Sequence, residues 1–375
     1  MYFQVLVSEY VNDNRVEKTT ESLTSKGVAM GILCLGRTSI VYKHDFNYPV
    51  KRIYLKTQQW PKVFFIQAIK FLELIIKMCL FLKNEGASVL HCNDLGGLIV
   101  GSTYKAFFNS SVTLIYDSHE FQSETHGLNK TQKMLRKWVE KNIIKNASAV
   151  ITVSESIANS YKSRYKIPKP VVIFNAPLYN STDGSTILKN QFQIEEQEIL
   201  FIYQGMISQA RGVDKIANAF IATKNKFAHV VFMGDGPLAQ DIKEIAENNS
   251  NIHYHPPVLK EKLIEYSSSA DFGIHLIPNT CLNHDYCMPN KLFEYINSTL
   301  PVIVSNVNDM AKFVVNNNVG FVVDENNFDL DLLLENIKQT EISSFKANCK
   351  SLALVYNWEN EEKKLFTLYK SLDLL

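Results

Sequence analysis

Met288 to Asn306 reads MPNKLFEYINSTLPVIVSN: a helix-opening proline, then a basic and an acidic residue, then a continuous β-branched strand. Pro289 suits a helix start, because its missing N–H would be unpaired there anyway and its fixed φ matches the first turn. Lys291 and Glu294 lie three apart and share one helix face. Free N–H groups at such a terminus, with the positive end of the helix dipole, favour phosphate oxygens, and a carboxylate one turn further in can accept two ribose hydroxyls. The strand PVIVS is apolar on both faces, as expected for a parallel strand covered on both sides. The segment predicts an α/β fold with an anion and sugar site at a helix start.

Working outward, the same alternation fills the second half of the chain. EILFIYQG, a helix from Val213, HVVFMGDG, a helix from Leu238, NIHYHPPV, a helix from Lys260, DFGIHLIP and VGFVVD flank the opening segment. The first half alternates too: FQVLVS, NDNRVEKTTESLTSKG, VAMGILCL, a long apolar helix, SVLHCN, a Gly-rich turn, VTLIYDS and SAVITVS. Such alternation predicts parallel sheets with crossover helices. It stops between Pro177 and Gln197, where STDGST at Ser181 to Thr186 carries turn residues without periodicity and reads as a linker. The expectation is two Rossmann-like domains, residues 1–178 and 197–353, facing across a cleft. A C-terminal helix within residues 354–375 is expected to pack back toward the first domain. Ligands should lie at the carboxyl ends of the strands, between the two sheets.

At 375 residues the chain exceeds one ordinary core. Lys plus Arg is 39 against 38 for Asp plus Glu, a net charge of +1, so no global field recruits nucleic acid. Six scattered cysteines and an N-terminus without leader features predict reduced thiols and a cytoplasmic location. Val63 to Leu82, VFFIQAIKFLELIIKMCLFL, is interrupted only by Gln67, Lys70, Glu73 and Lys77. On an insertion scale its three charges cost about +8 kcal/mol against about −6 from its large apolar residues, so it does not read as a membrane span. The polar residues form one narrow stripe, which predicts a buried core helix. The alternative is partial contact of its apolar face, flanked by Trp60, Lys62 and Lys83, with the inner surface of a membrane.

Other candidate residues sit where strands end. Gly205 and Arg211 bracket the loop QGMISQARG; glycine permits close approach to a ligand, and arginine can fork onto a diphosphate or simply face solvent. Gly234, Asp235, Gly236 and Pro237 begin GDGPLA, a short match to a dinucleotide fingerprint that lacks the acid expected about twenty residues on, which disfavours hydride chemistry. A turn beneath a nucleotide base, or a purely structural turn, fits. His119 follows the strand LIYDS between Asp117 and Glu120; neutral, it can donate to a sugar hydroxyl, and the alternative is a turn histidine satisfied by its acidic neighbours. Cys281, His284 and Cys287 are evenly spaced but lack an evident fourth metal ligand. Asp329 and Asp331 read as a helix start. No metal site is expected.

In their order, these pieces resemble glycosyltransferase family 4, over nearly the whole length. NDNRVEKTTESLTSKG, HCND, YDSHE, SAVITVSESIANSY and VIFNAP are similar to its first half. QGMISQARGVDKIANAF, GDGPL and NKLFEYINSTLPVIVS are similar to its donor half. The resemblance implies the two-domain GT-B fold and a retaining hexosyltransferase that needs no metal or other cofactor. Its donor would be an NDP-sugar, UDP by preference, and its acceptor a glycan or lipid-linked molecule of cell-surface polysaccharide synthesis, capsule or lipopolysaccharide. By residue, it implies that Arg211 and Lys291 hold the diphosphate, Glu294 the ribose and Gly234 to Pro237 the base. Gly205, Tyr286 and Asn290 would line the donor site, with His119 near the transferred sugar. The chain departs from the family at Tyr286, where a glutamate eight before Glu294 is usual, at Met206, where an arginine is common, and at SEYVNDN, which replaces an N-terminal Gly-rich loop. A nucleotide-sugar epimerase of the same fold and an inactive sugar-nucleotide-binding subunit are the alternatives.

Overall fold

The structure, a computed structural model, describes residues 1–11, 13–40, 42, 46–61, 63–180, 184–324, 329–337 and 339–375. Lys62 beside the apolar helix, residues 181–183 of the expected linker, Asn12 of SEYVNDN and the Asp329 side chain lie outside the described residues. The chain divides into two compact units, Met1–Ile173 with Glu362–Leu375, and Phe174–Glu361.

The strands of the first unit are β1 (Tyr2–Glu9), β2 (Met30–Leu35), β3 (Val50–Ile53), β4 (Val89–Asn93), β5 (Thr113–Ser118), β6 (Ala149–Thr152) and β7 (Val171–Val172). They pair in parallel in the order β3-β2-β1-β4-β5-β6-β7. Its helices are α1 (Asn14–Ser25), α2 (Phe64–Asn84), α3 (Asp94–Phe107), α4 (Lys130–Ile143) and α5 (Glu155–Tyr165). Helix α1 is capped by Asp13, whose side chain accepts the Val16 N–H at 3.2 Å. The edge strand β3 was not anticipated, since VKRI carries two cations and no alternation long enough to register.

Two expectations are corrected here. The stretch read as a Gly-rich turn, DLGG, is the first turn of α3. Its glycines let the helix lie against the sheet: a Cβ on Gly97 would stand 2.6 Å from the Val5 carbonyl oxygen, and one on Gly96 would stand 2.1 Å from a Val7 methyl. Close packing outweighs the roughly 1 kcal/mol helix penalty of each glycine. Helix α2 is not a buried core helix. Leu74, Met78 and Leu82 are buried, but Phe65, Ile69, Leu72, Ile76 and Leu80 form an exposed apolar stripe. The polar stripe is instead consumed by the loop after β3: Glu73 accepts the Lys56 and Thr57 N–H groups at 2.7 and 3.1 Å, and Lys70 donates to the Gln58 and Trp60 carbonyls at 3.0 and 2.6 Å. Loop backbone groups need partners, and the helix supplies them. Among the described residues, no helix is long and apolar enough to cross a membrane.

The second unit holds α6 (Ile187–Phe192), β8 (Ile199–Gln204), α7 (Val213–Ala222), β9 (Ala228–Met233), α8 (Ala239–Asn248) and β10 (Ile252–His255). Then come α9 (Leu263–Ser267), β11 (Phe272–His275), α10 (Leu282–Asp285), α11 (Asn290–Asn297), β12 (Val302–Ser305), α12 (Asn308–Asn317) and β13 (Gly320–Val323). Helices α13 (Asp329–Asn336) and α14 (Gln339–Ala353) follow. The six strands are parallel, in the order β10-β9-β8-β11-β12-β13. Alternate residues of β8 enter opposite cores, Ile199, Phe201 and Tyr203 on one side and Leu200 and Ile202 on the other, which is why these strands read as unbroken apolar runs.

The segment expected as linker is partly built into this unit, since Leu188 is buried and Lys189 pairs with Asp271 at 2.9 Å. Helix α15 (Trp358–Ser371) begins in the second unit and ends in the first. In the second unit the Trp358 N–H donates to the Pro177 carbonyl at 2.8 Å. In the first, Glu362 accepts the Ser22 hydroxyl at 2.7 Å and Tyr369 meets His91 at 2.9 Å.

Candidate functional site

In each unit the strand order reverses beside the first strand, between β8 and β11 in the second and between β1 and β4 in the first. Ligands of open parallel sheets bind at such switch points, outside the carboxyl ends of the strands. In the second unit β8 ends at Gln204 and runs into Gly205, while β11 ends at His275. Helix α11 brings Lys291 to the same place. Its ammonium lies 3.3 Å from the Tyr203 hydroxyl and 4.5 Å from that ring's centre. Gly205, at φ +113, leaves room for it, since a Cβ there would stand 2.7 Å from the Lys291 Cε. Pro289 sits at the N-cap rather than inside the first turn, with its carbonyl accepting the Leu292 N–H at 3.1 Å.

Burial first, and then the Arg211 guanidinium, push the Lys291 pKa down to about 8 against the opposing pull of Glu294. The two cations named from the sequence therefore act on each other, and they repel. A dianionic diphosphate between them would relieve that repulsion and restore the Lys291 charge. Glu294 is aimed by a relay: the Ser267 hydroxyl donates to Gln204 Oε1 at 2.6 Å, and Gln204 Nε2 donates to Glu294 Oε2 at 2.7 Å. Sequence reading missed Gln204 and Tyr203, and it missed His275. That imidazole is 1% exposed, and among the described residues neither ring nitrogen has a hydrogen-bond partner. Burial, then the Lys291 and Arg211 charges, hold it well below the usual imidazole range, so it is neutral and adds no third positive charge at this place.

A consequence is a basic limb in the donor dependence. Lys291 carries its charge below about pH 8 and loses it as pH rises through that value. The kcat/KM for donor should fall above about pH 8 in the wild type, and Lys291→Arg, whose side chain does not titrate there, should lose the limb. The check is a pH profile of initial rates at low donor concentration; a limb that persists in the arginine variant belongs to another group.

The turn Gly234 to Pro237 packs on the Gly205 loop. The Ile207 N–H donates to the Asp235 carbonyl at 2.9 Å, and the Asp235 side chain accepts the Gly236 N–H at 2.8 Å. A Cβ on Gly234 would stand 1.8 Å from the Gly205 carbonyl oxygen, and one on Gly236 would stand 2.4 Å from that of Ile207. Loop packing thus accounts for both glycines. Asn290 is the exposed first residue of α11, and Tyr286 is the partly buried C-cap of α10. Near them His284 Nδ1 faces the Pro278 carbonyl at 2.6 Å. Among the described residues no three His, Cys, Asp or Glu side chains are grouped as metal ligands, and the six cysteines are free thiols.

The first unit carries a cavity of about 560 Å³ lined by Val7, Phe71, Asp94, His119, Gln122 and Leu135 among others. Its polar floor is tightly connected. The His119 N–H and Gln122 Nε2 both donate to Asp94 Oδ1, at 3.0 and 2.7 Å, while His119 Nε2 lies 3.1 Å from Asn93 Oδ1 and 3.7 Å from Asp117. Burial alone would depress the His119 pKa, but the Asp94 and Asp117 charges raise it to about 9. It is a cation at neutral pH, a correction to the neutral donor expected from sequence. Asp94, at φ +57, was not recognised as a site residue. Beneath the floor, Arg15 forks onto Asp117 at 2.8 and 2.9 Å, Asp117 accepts from His91 at 3.3 Å, and His91 in turn accepts from Tyr369.

Comparison with known proteins fits this geometry. Residues 14–176 match the family described as Glycosyltransferase Family 4, and residues 216–357 match the Glucosyltransferase 3-like, C-terminal domain. The chain is 24% identical over 309 residues, 76% of each protein, to the UDP-Gal:alpha-D-GlcNAc-diphosphoundecaprenol alpha-1,3-galactosyltransferase of Escherichia coli. Among solved structures it is similar to sucrose-phosphate synthase of Thermosynechococcus elongatus, with a TM-score of 0.77, 15% identity and 99% of each chain covered. It is also similar to HepE of Anabaena in complex with UDP, with a TM-score of 0.72, 13% identity and 100% of each chain covered. The chain thus joins a Glycosyltransferase Family 4 region, residues 14–176, to a Glucosyltransferase 3-like C-terminal domain, residues 216–357, in a glycosyltransferase with two parallel-sheet α/β domains of the GT-B type.

Proposed function

We propose that this protein is a retaining hexosyltransferase that takes a sugar from UDP and adds it to a lipid-linked glycan, at the inner membrane surface, during cell-surface polysaccharide synthesis. The observation that carries the reading is the Arg211 and Lys291 pair at the β8/β11 switch point, with Lys291 held at about 8 beside the relay-aimed Glu294. Breaking the sugar–phosphate bond develops negative charge on the leaving diphosphate. The Lys291 and Arg211 charges can stabilise that charge without a metal. Glu294 takes the ribose hydroxyls, and the Gly234 to Pro237 turn lies against the base. The relative that acts on a diphosphoundecaprenol-linked sugar, and the similar structure that binds UDP, support the donor and acceptor classes.

The test is product analysis with UDP-glucose and UDP-galactose, with and without a polyprenyl-diphosphate-linked sugar, in the presence of a chelator. Acceptor-dependent transfer with a retained anomeric configuration is expected. An isomerised donor formed without acceptor would make the protein an epimerase, and nucleotide binding without turnover would make it an inactive subunit.

A further inference from the structure

The last two residues of β8 meet the two charged donor residues of α11 one by one. Tyr203 meets Lys291. Its hydroxyl donates to the Met206 carbonyl at 2.6 Å, which uses its one proton and leaves a lone pair for the Lys291 ammonium at 3.3 Å, with the ring centre 4.5 Å from that ammonium. Gln204 meets Glu294 through the relay from Ser267, and the direction of that relay is forced. A carboxylate only accepts, so the amide must turn Nε2 to Glu294 and Oε1 to Ser267, whose hydroxyl must then donate. The Gln204 backbone N–H is held as well, donating to the Tyr295 hydroxyl at 3.1 Å, so main chain and side chain are both tied to α11. Tyr203, Gln204 and Ser267 are 0, 2 and 1% exposed, whereas Lys291 and Glu294 are partly exposed. The three buried residues therefore meet a ligand only through α11.

We propose that Tyr203 and Gln204 are positioning residues that divide donor recognition in two: Tyr203 sets the place of Lys291 on the diphosphate, and Gln204, with Ser267 behind it, sets the place of Glu294 on the ribose. This division rests on the diphosphate and ribose roles proposed above, and it adds the groups that aim each of them. The two effects differ in kind. An ammonium on a flexible four-carbon stem samples many rotamers, and a fixed acceptor beside a ring face removes most of them before a phosphate arrives. A carboxylate that accepts hydroxyls in set directions needs its plane held, and Gln204 holds it by one oxygen. A purely structural role for the pair has a different consequence. Loosening α11 as a whole would weaken phosphate and ribose recognition together.

The test is calorimetric titration of the full chain with UDP, uridine, 2′-deoxy-UDP and 3′-deoxy-UDP. The wild type should bind UDP more tightly than uridine, and more tightly than the deoxy nucleotides by roughly 10-fold or more for a hydroxyl that meets a carboxylate. Gln204→Leu, close in volume, should cut the discrimination against the deoxy nucleotides to about 3-fold or less, while the preference for UDP over uridine stays as in the wild type. Ser267→Ala should act in the same direction by a smaller factor. Tyr203→Phe should do the reverse, lowering the preference for UDP over uridine by roughly 5-fold or more and leaving the ribose discrimination intact. Ser267→Ala and Tyr203→Phe each remove a single oxygen atom, and they carry the same contrast if the thermal midpoint of Gln204→Leu shows it to be unfolded. Parallel loss of both preferences in each variant overturns the proposal, and so does ribose discrimination that Gln204→Leu and Ser267→Ala leave untouched; in either case a wild type that prefers UDP to uridine keeps the donor reading. A wild type that binds UDP no better than uridine fails the donor reading, and the division falls with it.

Discussion

Lys291→Ala is expected to lower kcat/KM for the nucleotide sugar by more than the ~10²-fold typical of losing one oriented donor to a developing charge. The ammonium is partly buried, fixed over the Tyr203 ring and crowded by Arg211, so a leaving diphosphate meets it without reorganisation. Arg211→Ala should act in the same direction, with a signature of its own. It removes a charge that depresses Lys291, so the basic limb of the pH profile should move to higher pH while the rate falls. Initial rates at low donor concentration across pH 6 to about 10 would read both effects. Wild-type rates in both variants would remove these residues from the donor site.

Arg15→Ala is expected to destabilise the first unit by about 3–5 kcal/mol, because it strands a buried carboxylate. Burial would raise the Asp117 pKa, but the Arg15 guanidinium and His119 hold it well below the usual carboxylate range. A depressed carboxylate contributes stability above its unfolded pKa and loses that contribution as pH falls through the folded value. Without Arg15 the contribution shrinks, so the gap between wild type and variant should narrow as the solution is acidified. Urea unfolding at pH 7 and at about pH 3, below the unfolded carboxylate pKa of about 3.9, measures this. Arg15→Ala/Asp117→Asn should recover part of the loss. An unchanged midpoint in the single variant would mean that the network is incidental, although it ties β5 through His91 to Tyr369 of the C-terminal helix.

The sequence discloses features that are local and hides those made by distant residues. Strands such as ILFIYQ and VIVS are legible because helices cover both faces of a parallel sheet and leave them apolar throughout. Lys291 and Glu294 are legible because three residues of helix place them on one face. Gln204, Tyr203 and His275 carry no such mark, since each gains meaning only when β8, β11 and α11 converge. His119 is recognisable as a residue at a strand end, but its charge is not, because Asp94 arrives from α3 and Asp117 from β5. The inversion of α2 is hidden for the same reason: nothing in VFFIQAIKFLELIIKMCLFL announces that residues 56–60 will occupy its polar stripe. The DLGG helix start is misread because glycine's local cost is visible and the 2.6 Å approach to Val5 is not.

The central claim is that Arg211 and Lys291 in the second unit hold the diphosphate of the donor. Calorimetric titration of the wild type and Lys291→Ala with UDP and with uridine tests it most directly. The account predicts that the wild type binds UDP far more tightly than uridine, and that the alanine variant loses most of that difference while its affinity for uridine stays the same. Equal binding of UDP and uridine by the wild type, or a preference for UDP untouched by the substitution, would contradict it.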